Sequence, residues 1–516
     1  MADTKREIER KYESDESGLP DLTGVAGVAT VLDKGVAELD AVYYDTIDER
    51  LAAASITLRR RTGGSDAGWH LKLPVSSGVR DEIRAPLSDT LPDELVGLVR
   101  SRVRGAELVP LVRLLSTRDV SELFDAGGTL LAEVSVDAVV AERLTEDGRT
   151  AQWSEIEVEL ADDGDPAFLE KVDKKLRKAG VRPSDSPSKM ARALQETAPR
   201  KSKKKDQKKT QKNDTKRDGA EAPGEPVTPG DHVLAYARVQ RDAIIELDPA
   251  VRREVFDSVH SMRVATRRLR STFKSFGKVL DRTVTDPIGE ELKWLAGELG
   301  VDRDQEVLTE RLSEALDDLP ESLVTGPVRT RLGGWTQEDG GTGPRSELID
   351  ALDGQRYLDL LKSLDAVIKD PPLLEAAGGD PEKVITKAVR KDFGKVAALV
   401  EEALAQPRGA DRDLAMHEAR KKTKRTRYAA EAAKPLLGKP AKALVKDMKS
   451  LQTLLGDHQD SVMAREALRD LAFQAHEAGE SAFTYGLLYG REERRAELAE
   501  GALPETWAKI SHDMPF

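Results

Sequence analysis

Two patterns of apolar and polar positions divide the chain into two halves. In the N-terminal half, short β-like runs alternate with turn residues, which is typical of antiparallel strands. These runs are Ala54–Arg61, Gly68–Pro74, Leu130–Val136 and Trp153–Leu160. In the C-terminal half, apolar residues recur every three or four positions almost throughout, which indicates helices. The chain therefore combines a β-rich half with an all-helical half.

The run Trp153–Leu160 shows the clearest alternation. Glu155, Glu157 and Glu159 share one face of the strand, and apolar residues occupy the other. The polar face lies either in solvent or in the charged lumen of a closed barrel. Three like charges in a row repel one another, which favours a cation bound at this face.

A polar segment separates the two halves. Residues 199–230 contain almost no large apolar side chain, and the first part is rich in lysine. Such a segment cannot bury enough surface to offset its ordering entropy, so we predict a disordered linker. The predicted domains are residues 1–198 and 231–516.

Composition excludes several classes of site. The 516 residues include no cysteine, which removes disulfides, thiolate zinc sites and cysteine nucleophiles. Neither an N-terminal apolar stretch nor a run of about 18 apolar residues is present, so we expect a cytoplasmic protein without membrane association. The net charge of −12 means that an anion site requires a local concentration of positive charge.

Two sequence blocks of the helical half occur twice, in the same order. Residues 259–270 align with residues 416–427, and residues 293–304 align with residues 449–460. This duplication implies two similar helical halves. The glycine-rich segment Gly326–Arg345 predicts a loop within the first of them.

The first repeated block carries a basic stripe in each copy. Residues spaced by three or four positions lie on one helix face, and like charges stacked there repel one another unless an anion neutralises them. If both stripes meet, they form a groove suited to a repetitive polyanion, with bidentate arginine contacts to phosphate. Alternatively, each stripe pairs with acidic neighbours. The stripes are His260, Arg263, Arg267 and Arg270, flanked by Arg268, and His417, Arg420, Lys424 and Arg427, with Arg425 beside them.

From about residue 231 to residue 510, the chain resembles the CHAD family, a histidine-bearing α-helical domain. The resemblance rests on the segments VHSMRVATRRLRS, LKWLAGELGVDRDQEVL, MHEARKKTKRTRY and LQTLLGDHQDSV. It implies two four-helix bundles related by pseudo-two-fold symmetry, with a basic pocket that binds inorganic polyphosphate. The residues of the two stripes are the expected polyphosphate ligands.

The N-terminal half combines acidic and basic strands. Glu7, Glu9 and Lys11 share one face at the start of the chain, Arg59 and Arg61 share another, and Lys72 lies in a further strand. Carboxylates of this kind hold Mg²⁺ or Mn²⁺, and lysine and arginine neutralise the remaining phosphate charge. The pattern predicts a triphosphate site. The alternative is a barrel whose lumen contains salt bridges and no substrate.

Residues 4–195 resemble the CYTH domain of the triphosphate tunnel metalloenzymes. The matching segments are EIERKYE, YYDTIDERLAAASITLRRRTGG, GWHLKLP, VRDEI, LLAEVSVDAV, EIEVEL and SKMARAL. The resemblance implies an eight-stranded antiparallel β-tunnel that hydrolyses triphosphates with a divalent metal.

The same resemblance assigns roles to individual residues. It implies metal ligands at Glu7, Glu9, Glu157 and Glu159. It implies phosphate ligands at Lys11, Arg59, Arg61, Lys72, Arg118 and Lys189, with Glu7, Glu9, Lys11 and Lys72 as the catalytic set. Glu82, Glu133 and Asp137 fall at acidic lumen positions. One departure concerns Ser116, which stands where family members often have a further basic residue, whereas Arg113 falls on the opposite strand face.

The sequence therefore predicts an α+β multidomain protein. The expected function is a Mg²⁺- or Mn²⁺-dependent triphosphatase acting on inorganic triphosphate and joined to a polyphosphate-binding domain. A passive polyphosphate-binding protein and a class IV-like adenylate cyclase are alternatives, although no adenine signature is visible. Nucleic acid is not an expected partner, because few aromatic residues accompany the basic ones. The oligomeric state and an association with polyphosphate granules stay open.

Overall fold

A computed structural model describes residues 3–14, 18–145, 148–198, 225–335 and 343–512. The chain divides into two compact units, Met1–Thr215 and Lys216–Phe516. Most of the predicted linker, residues 199–224, lies outside the described residues. None of the helices in the described ranges is both long and apolar enough to cross a membrane.

The described part of the first unit contains eight strands that close a barrel in the order β1-β5-β4-β3-β2-β6-β7-β8. Every neighbouring pair is antiparallel, which confirms the predicted antiparallel barrel. The strands are β1 (Asp3–Glu13), β2 (Thr30–Asp45), β3 (Thr57–Thr62), β4 (Gly68–Ser76), β5 (Val79–Ala85), β6 (Val109–Phe124), β7 (Leu130–Arg143) and β8 (Thr150–Leu160).

Alternation along the strands separates a charged lumen from apolar outer faces. On β8, Glu155 and Glu157 are buried inside the barrel, whereas Ile156 and Val158 pack outside against Leu169 of α3 (Ala167–Lys178). A second helix, α2 (Asp93–Val103), covers the outer face of β3, β4 and β5, close to the short helix α1 (Arg50–Ala53). The apolar faces of the sheet are thereby removed from water, and the polar faces meet inside.

The helix α4 (Lys189–Glu196) fills one end of the barrel interior. Its side chains Met190 and Ala193 pack against lumen-facing residues that include Tyr43 and Trp153. The helix begins after Ser188, whose hydroxyl accepts a hydrogen bond from the backbone of the first turn. This arrangement places the side chain of Lys189 in the lumen.

The second unit is mainly helical over its described residues, as predicted. Its helices are α5 (Pro229–Arg252), α6 (Ser258–Ser275), α7 (Arg282–Glu298), α8 (Val301–Asp317), α9 (Val328–Trp335), α10 (Gly343–Asp353), α11 (Gln355–Lys369), α12 (Pro381–Ala405), α13 (Ala410–Leu437), α14 (Lys439–Glu477) and α15 (Phe483–His512). The two basic stripes lie on α6 and α13, which are in contact with each other.

The predicted loop Gly326–Arg345 is wrong over much of its length. Residues 328–335 form α9, α10 begins at Gly343, and residues 336–342 lie outside the described part of the chain. Val328 and Leu332 are fully buried against residues of α14 and α15. Tertiary packing of these two side chains therefore outweighs the poor helix propensity of the nearby glycines.

Candidate functional sites

The barrel encloses a cavity of about 650 Å³ with a largely charged lining. Basic residues from several strands face carboxylates from β1, β5, β7 and β8 across it. The structure brings every residue predicted for the triphosphate site to this cavity, namely Glu7, Glu9, Lys11, Arg59, Arg61, Lys72, Arg118, Glu157, Glu159 and Lys189.

Four carboxylates form a row across adjacent strands of the lumen. Glu9 of β1 lies opposite Glu159 of β8, which lies opposite Glu133 of β7, which in turn lies opposite Glu122 of β6. Like charges directly opposite each other destabilise a sheet. Burial, followed by the repulsion from Glu159, raises the pKa of Glu133. The row supplies carboxylate oxygens, the ligand type that Mg²⁺ and related ions prefer.

Each predicted metal ligand also contacts a lysine. The Nζ atom of Lys72 lies 2.5 Å from Glu7, that of Lys11 lies 3.1 Å from Glu9 and contacts Glu157, and that of Lys5 lies 2.6 Å from Glu159. Burial would lower the pKa of Lys11, but Glu157 and Glu9 outweigh this effect and raise it. These three lysines are therefore ion-paired within the lumen, and an incoming anion would have to exchange with the carboxylates that hold them.

Asp137, Glu155 and Glu157 form a second acidic cluster, with oxygen atoms within 4.8 Å of one another. Lys189 lies among them, 3.0, 2.7 and 2.6 Å from the three carboxylates. Arg118 makes two hydrogen bonds to Asp137, of 2.7 and 2.8 Å. Burial would raise the pKa of Glu157, but the surrounding cations hold it well below its usual range. The cluster thus positions two of the predicted phosphate ligands.

Glu82 of β5 contacts several basic residues of the lumen. Its carboxylate lies 3.5 Å from Lys72, 3.6 Å from Arg59 and 2.5 Å from Arg84. The Nδ1 atom of His70 lies 2.9 Å away. Burial lowers the pKa of His70 to about 4, so this imidazole is neutral at pH 7. Glu82 is therefore placed to position Lys72 and Arg59.

The helical unit contains a basic cavity of about 560 Å³. Its lining includes Arg263, Arg267 and Arg270 from α6, and His417, Arg420 and Lys424 from α13. The two stripes therefore meet at one cavity, as the groove hypothesis requires. Lys293, Arg311, Gln459 and Asp460 complete its polar lining.

The remaining stripe residues lie elsewhere. His260 lines a separate cavity of about 400 Å³. Arg268 donates a 3.1 Å hydrogen bond to Glu431, and Arg427 lies 3.8 Å from the same carboxylate. Arg425 makes two hydrogen bonds to the buried Asp392. These three arginines therefore pair with acidic neighbours, which was the alternative to the groove hypothesis.

Comparison with known proteins identifies both units. The CYTH domain matches residues 5–194, and the CHAD domain matches residues 235–469. Two Mycobacterium tuberculosis relatives, "Uncharacterized protein MT2285" and "Uncharacterized protein Rv2226", are each 40% identical over 515 residues, covering 96% of this chain and 93% of each relative. The chain belongs to the family that joins a CYTH domain to a CHAD domain.

Solved structures resemble each domain separately. The CHAD domain from the plant Ricinus communis is 24% identical, covering 58% of this chain and 97% of that chain, with a TM-score of 0.43. HpAC1 from Hippeastrum, for which a dominant triphosphatase activity is reported, is 17% identical, covering 38% of this chain and 98% of that chain, with a TM-score of 0.22.

Sequence reasoning missed several bases of the CYTH lumen. Lys5, Arg80 and Arg84 also line the cavity, and each lies two residues from a predicted lumen carboxylate, Glu7 or Glu82. Strict alternation along β1 and β5 would have found them. On β6, Arg113 points away from the lumen to Asp40, with hydrogen bonds of 2.9 and 2.6 Å. Among the described lining residues, Arg118 is therefore the base that β6 contributes.

In the CHAD cavity, Lys424 is surrounded by like charges. Burial, followed by repulsion from Arg267 and Arg420, lowers the pKa of Lys424 to about 7. Asp460 acts in the opposite direction but does not compensate. A polyanion in this cavity would relieve the repulsion.

Proposed function

We propose that the CYTH domain is a divalent-metal-dependent triphosphatase that hydrolyses inorganic triphosphate, and that the CHAD domain binds inorganic polyphosphate. The CYTH domain places the chain in a family of triphosphate tunnel metalloenzymes. The observation that carries the more specific proposal is the barrel lumen, where opposed carboxylates and convergent bases share one cavity. A polyphosphate ligand for the CHAD domain is supported by the two stripes lining one basic cavity.

The lining of the lumen favours inorganic triphosphate over a nucleotide. Among the described residues that line the 650 Å³ cavity, the single aromatic side chain is Tyr43, whose hydroxyl accepts a 3.3 Å hydrogen bond from Arg59. Nucleobases are commonly held by stacking on aromatic side chains. Tyr43 is buried and its hydroxyl is hydrogen-bonded to Arg59, so its ring does not offer an open stacking surface. The charged lining instead suits a ligand that consists of phosphate groups alone. The same argument disfavours ATP cyclisation.

The basic residues hold the substrate and offset charge as it develops. Arg59, Arg61 and Arg118 present planar forks to phosphate oxygens, while Lys11, Lys72 and Lys189 act as point charges. Glu7, Glu9, Glu157 and Glu159 would hold the divalent ion, which when bound neutralises phosphate charge and polarises a phosphoryl oxygen.

The reaction is the transfer of a terminal phosphoryl group to water. The water oxygen forms a bond to the terminal phosphorus and loses a proton to solvent, while the terminal anhydride P–O bond breaks and its electron pair leaves with pyrophosphate, giving orthophosphate and pyrophosphate. Positioning and charge stabilisation supply most of the catalysis in such transfers. Lys11 and Lys72, which line the cavity, would offset the charge that develops on the leaving oxygen.

Release of orthophosphate from inorganic triphosphate tests the enzymatic proposal. With Mg²⁺ or Mn²⁺, the wild-type protein should release phosphate, and Glu9→Gln or Glu159→Gln should reduce the rate by at least about 100-fold. Glu142→Gln is the matched control, because Glu142 is an exposed glutamate on β7. Wild-type activity in both lumen variants would refute the site.

A passive phosphate binder is the second candidate function. It is favoured by Ser116, which lies on the lumen side of β6, because a serine there means that Arg118 is the base that this strand contributes to the described cavity lining. Binding of triphosphate without any metal-dependent release would support it.

Binding of long-chain polyphosphate tests the CHAD proposal. Replacing Arg263, Arg267 and Arg270 together by alanine should abolish measurable binding, because it removes three of the bases that line the cavity. Arg282, Arg329 and Arg356, which are exposed arginines of the same unit, provide a control triple variant with an equal charge change. Equal affinity in the two triple variants would refute the cavity as the binding site.

A further inference from the structure

Two glycines at equivalent positions of the internal repeat lie against two equivalent arginines of the basic cavity. Gly300 belongs to the block that repeats as Gly456, and Arg263 belongs to the block that repeats as Arg420. Gly300 adjoins the guanidinium of Arg263, and Gly456 adjoins that of Arg420. The same pair of contacts therefore occurs in both halves of the CHAD domain.

The two contacts differ in how closely they fit. A Cβ atom added at Gly300 would lie 2.7 Å from Cζ, 2.8 Å from Nη2 and 2.9 Å from Nε of Arg263. The guanidinium therefore occupies the space that any side chain at position 300 would need. A Cβ atom added at Gly456 would lie 3.6 Å from Nε and Nη2 of Arg420, which is an ordinary van der Waals distance.

The backbone does not demand glycine at either position. Gly300 has a φ of −128°, and Gly456 lies inside α14, where the backbone is helical. Neither conformation has the positive φ that favours glycine over other residues. The absence of a side chain at position 300 is therefore explained by the guanidinium that lies there.

We infer that Gly300 is a positioning residue of the polyphosphate cavity, because it provides the surface on which the Arg263 guanidinium rests. This inference depends on the proposed binding of polyphosphate. Gly456 provides no comparable constraint on Arg420, and the two positions can be compared within one protein.

A methyl group at position 300 displaces the Arg263 head group, since the end of a flexible side chain moves more easily than the backbone. Charge-assisted hydrogen bonds to phosphate require donor–acceptor distances of about 2.7–2.9 Å, so a displacement of about 1 Å breaks them. Gly300→Ala should therefore weaken polyphosphate binding about tenfold. Gly456→Ala should leave the affinity within about twofold of wild type, because its added methyl group fits.

The test measures the affinity of the full-length protein for long-chain inorganic polyphosphate at one fixed salt concentration. The variants are Gly300→Ala, Gly456→Ala, Arg263→Ala and the double variant Gly300→Ala/Arg263→Ala. If Gly300 acts through Arg263, the double variant binds as weakly as Arg263→Ala alone. Thermal unfolding of each variant reports whether the fold is preserved.

Three results would overturn the inference. One is wild-type affinity in Gly300→Ala. Another is an equal loss of affinity on adding Gly300→Ala to the wild type and to Arg263→Ala, which would indicate a general structural effect. The third is a Gly300→Ala protein that does not fold, since a displaced arginine end should cost little stability. A wild-type protein that binds no polyphosphate would refute the proposed function itself. The other three results refute only the role of Gly300, so the two failures can be told apart.

Discussion

Lys424 should make polyphosphate binding by the CHAD domain dependent on pH. Its ammonium lies in a cavity with Arg263 and Arg267 of α6 and Arg420 of α13, while Asp460 of α14 provides partial compensation. The pKa of Lys424 is lowered to about 7, first by burial and then by these arginines. A bound polyanion would stabilise the charged ammonium and raise this pKa again. Binding should therefore take up a proton at any pH at which Lys424 of the free protein is neutral.

The direction and size of the effect follow from this linkage. Well below pH 7, free Lys424 is charged, and affinity is independent of its titration. Above pH 7, affinity falls by up to tenfold per pH unit until the pKa of the bound form is reached. If binding restores the ordinary lysine pKa of about 10.4, affinity decreases about 50-fold between pH 7 and pH 9. This decrease corresponds to roughly 2.3 kcal/mol.

The assay is titration of long-chain polyphosphate into the protein between pH 6 and pH 9 at constant ionic strength. Calorimetry in buffers of different ionisation enthalpy counts the protons taken up and should give close to one per site at pH 8.5. Lys424→Arg is the control, because arginine stays charged over this range and the variant retains His417. The reasoning is refuted if the wild type binds equally well at pH 7 and pH 9, or if Lys424→Arg shows the same decrease.

Three further predictions concern both domains. Glu82→Gln should raise the KM for triphosphate several-fold, since Glu82 positions Lys72 and Arg59; steady-state kinetics checks this, and an unchanged KM contradicts it. Arg425→Ala should destabilise the CHAD domain by about 3–5 kcal/mol, because it leaves the buried carboxylate of Asp392 without its bidentate partner; thermal unfolding measures the loss, and a shift no larger than that of Arg356→Ala refutes it. A chelator should abolish phosphate release while leaving polyphosphate affinity unchanged, and parallel loss of both would contradict separate sites.

The barrel and most of its lumen could be predicted because strand alternation has a fixed period of two. Once Glu157 and Glu9 are assigned to the polar faces of their strands, closure of the sheet brings them into one interior. Lys5 and Arg84 were not predicted as lumen residues because each is a single charge beside a motif, the Glu7–Lys11 motif for Lys5 and the segment around Glu82 for Arg84. Their place in the lumen follows from the same alternation that places Glu7 and Glu82 there.

The helical cavity was harder to predict because the spacing of residues shows which of them share a helix face but not which turns of that face line a cavity. Each stripe spans nearly three turns, and the way α6 and α13 pack decides which turns face the partner. Arg270 and His417 reach the common cavity, whereas His260 and Arg427 do not. No pattern along the chain indicates that Arg311 of α8 lines the same cavity, since that contact arises only from tertiary packing.

Opposite lysine pKa shifts distinguish how the two cavities accommodate an anion. The pKa of Lys11 is raised because Glu157 and Glu9 outweigh its burial, whereas the pKa of Lys424 is lowered by burial and neighbouring arginines. In the CHAD cavity the nearest carboxylate to Arg420 is 3.6 Å away, whereas the lumen lysines lie 2.5–3.1 Å from theirs. A polyanion in the CHAD cavity would therefore relieve the repulsion at Lys424, while Arg270 and Arg311 would exchange Glu290 and Glu492 for it. In the proposed triphosphatase, a triphosphate entering the lumen would displace the carboxylates that pair with Lys11 and Lys72, and the freed carboxylates would then require a cation, so we expect the CYTH domain to need a metal.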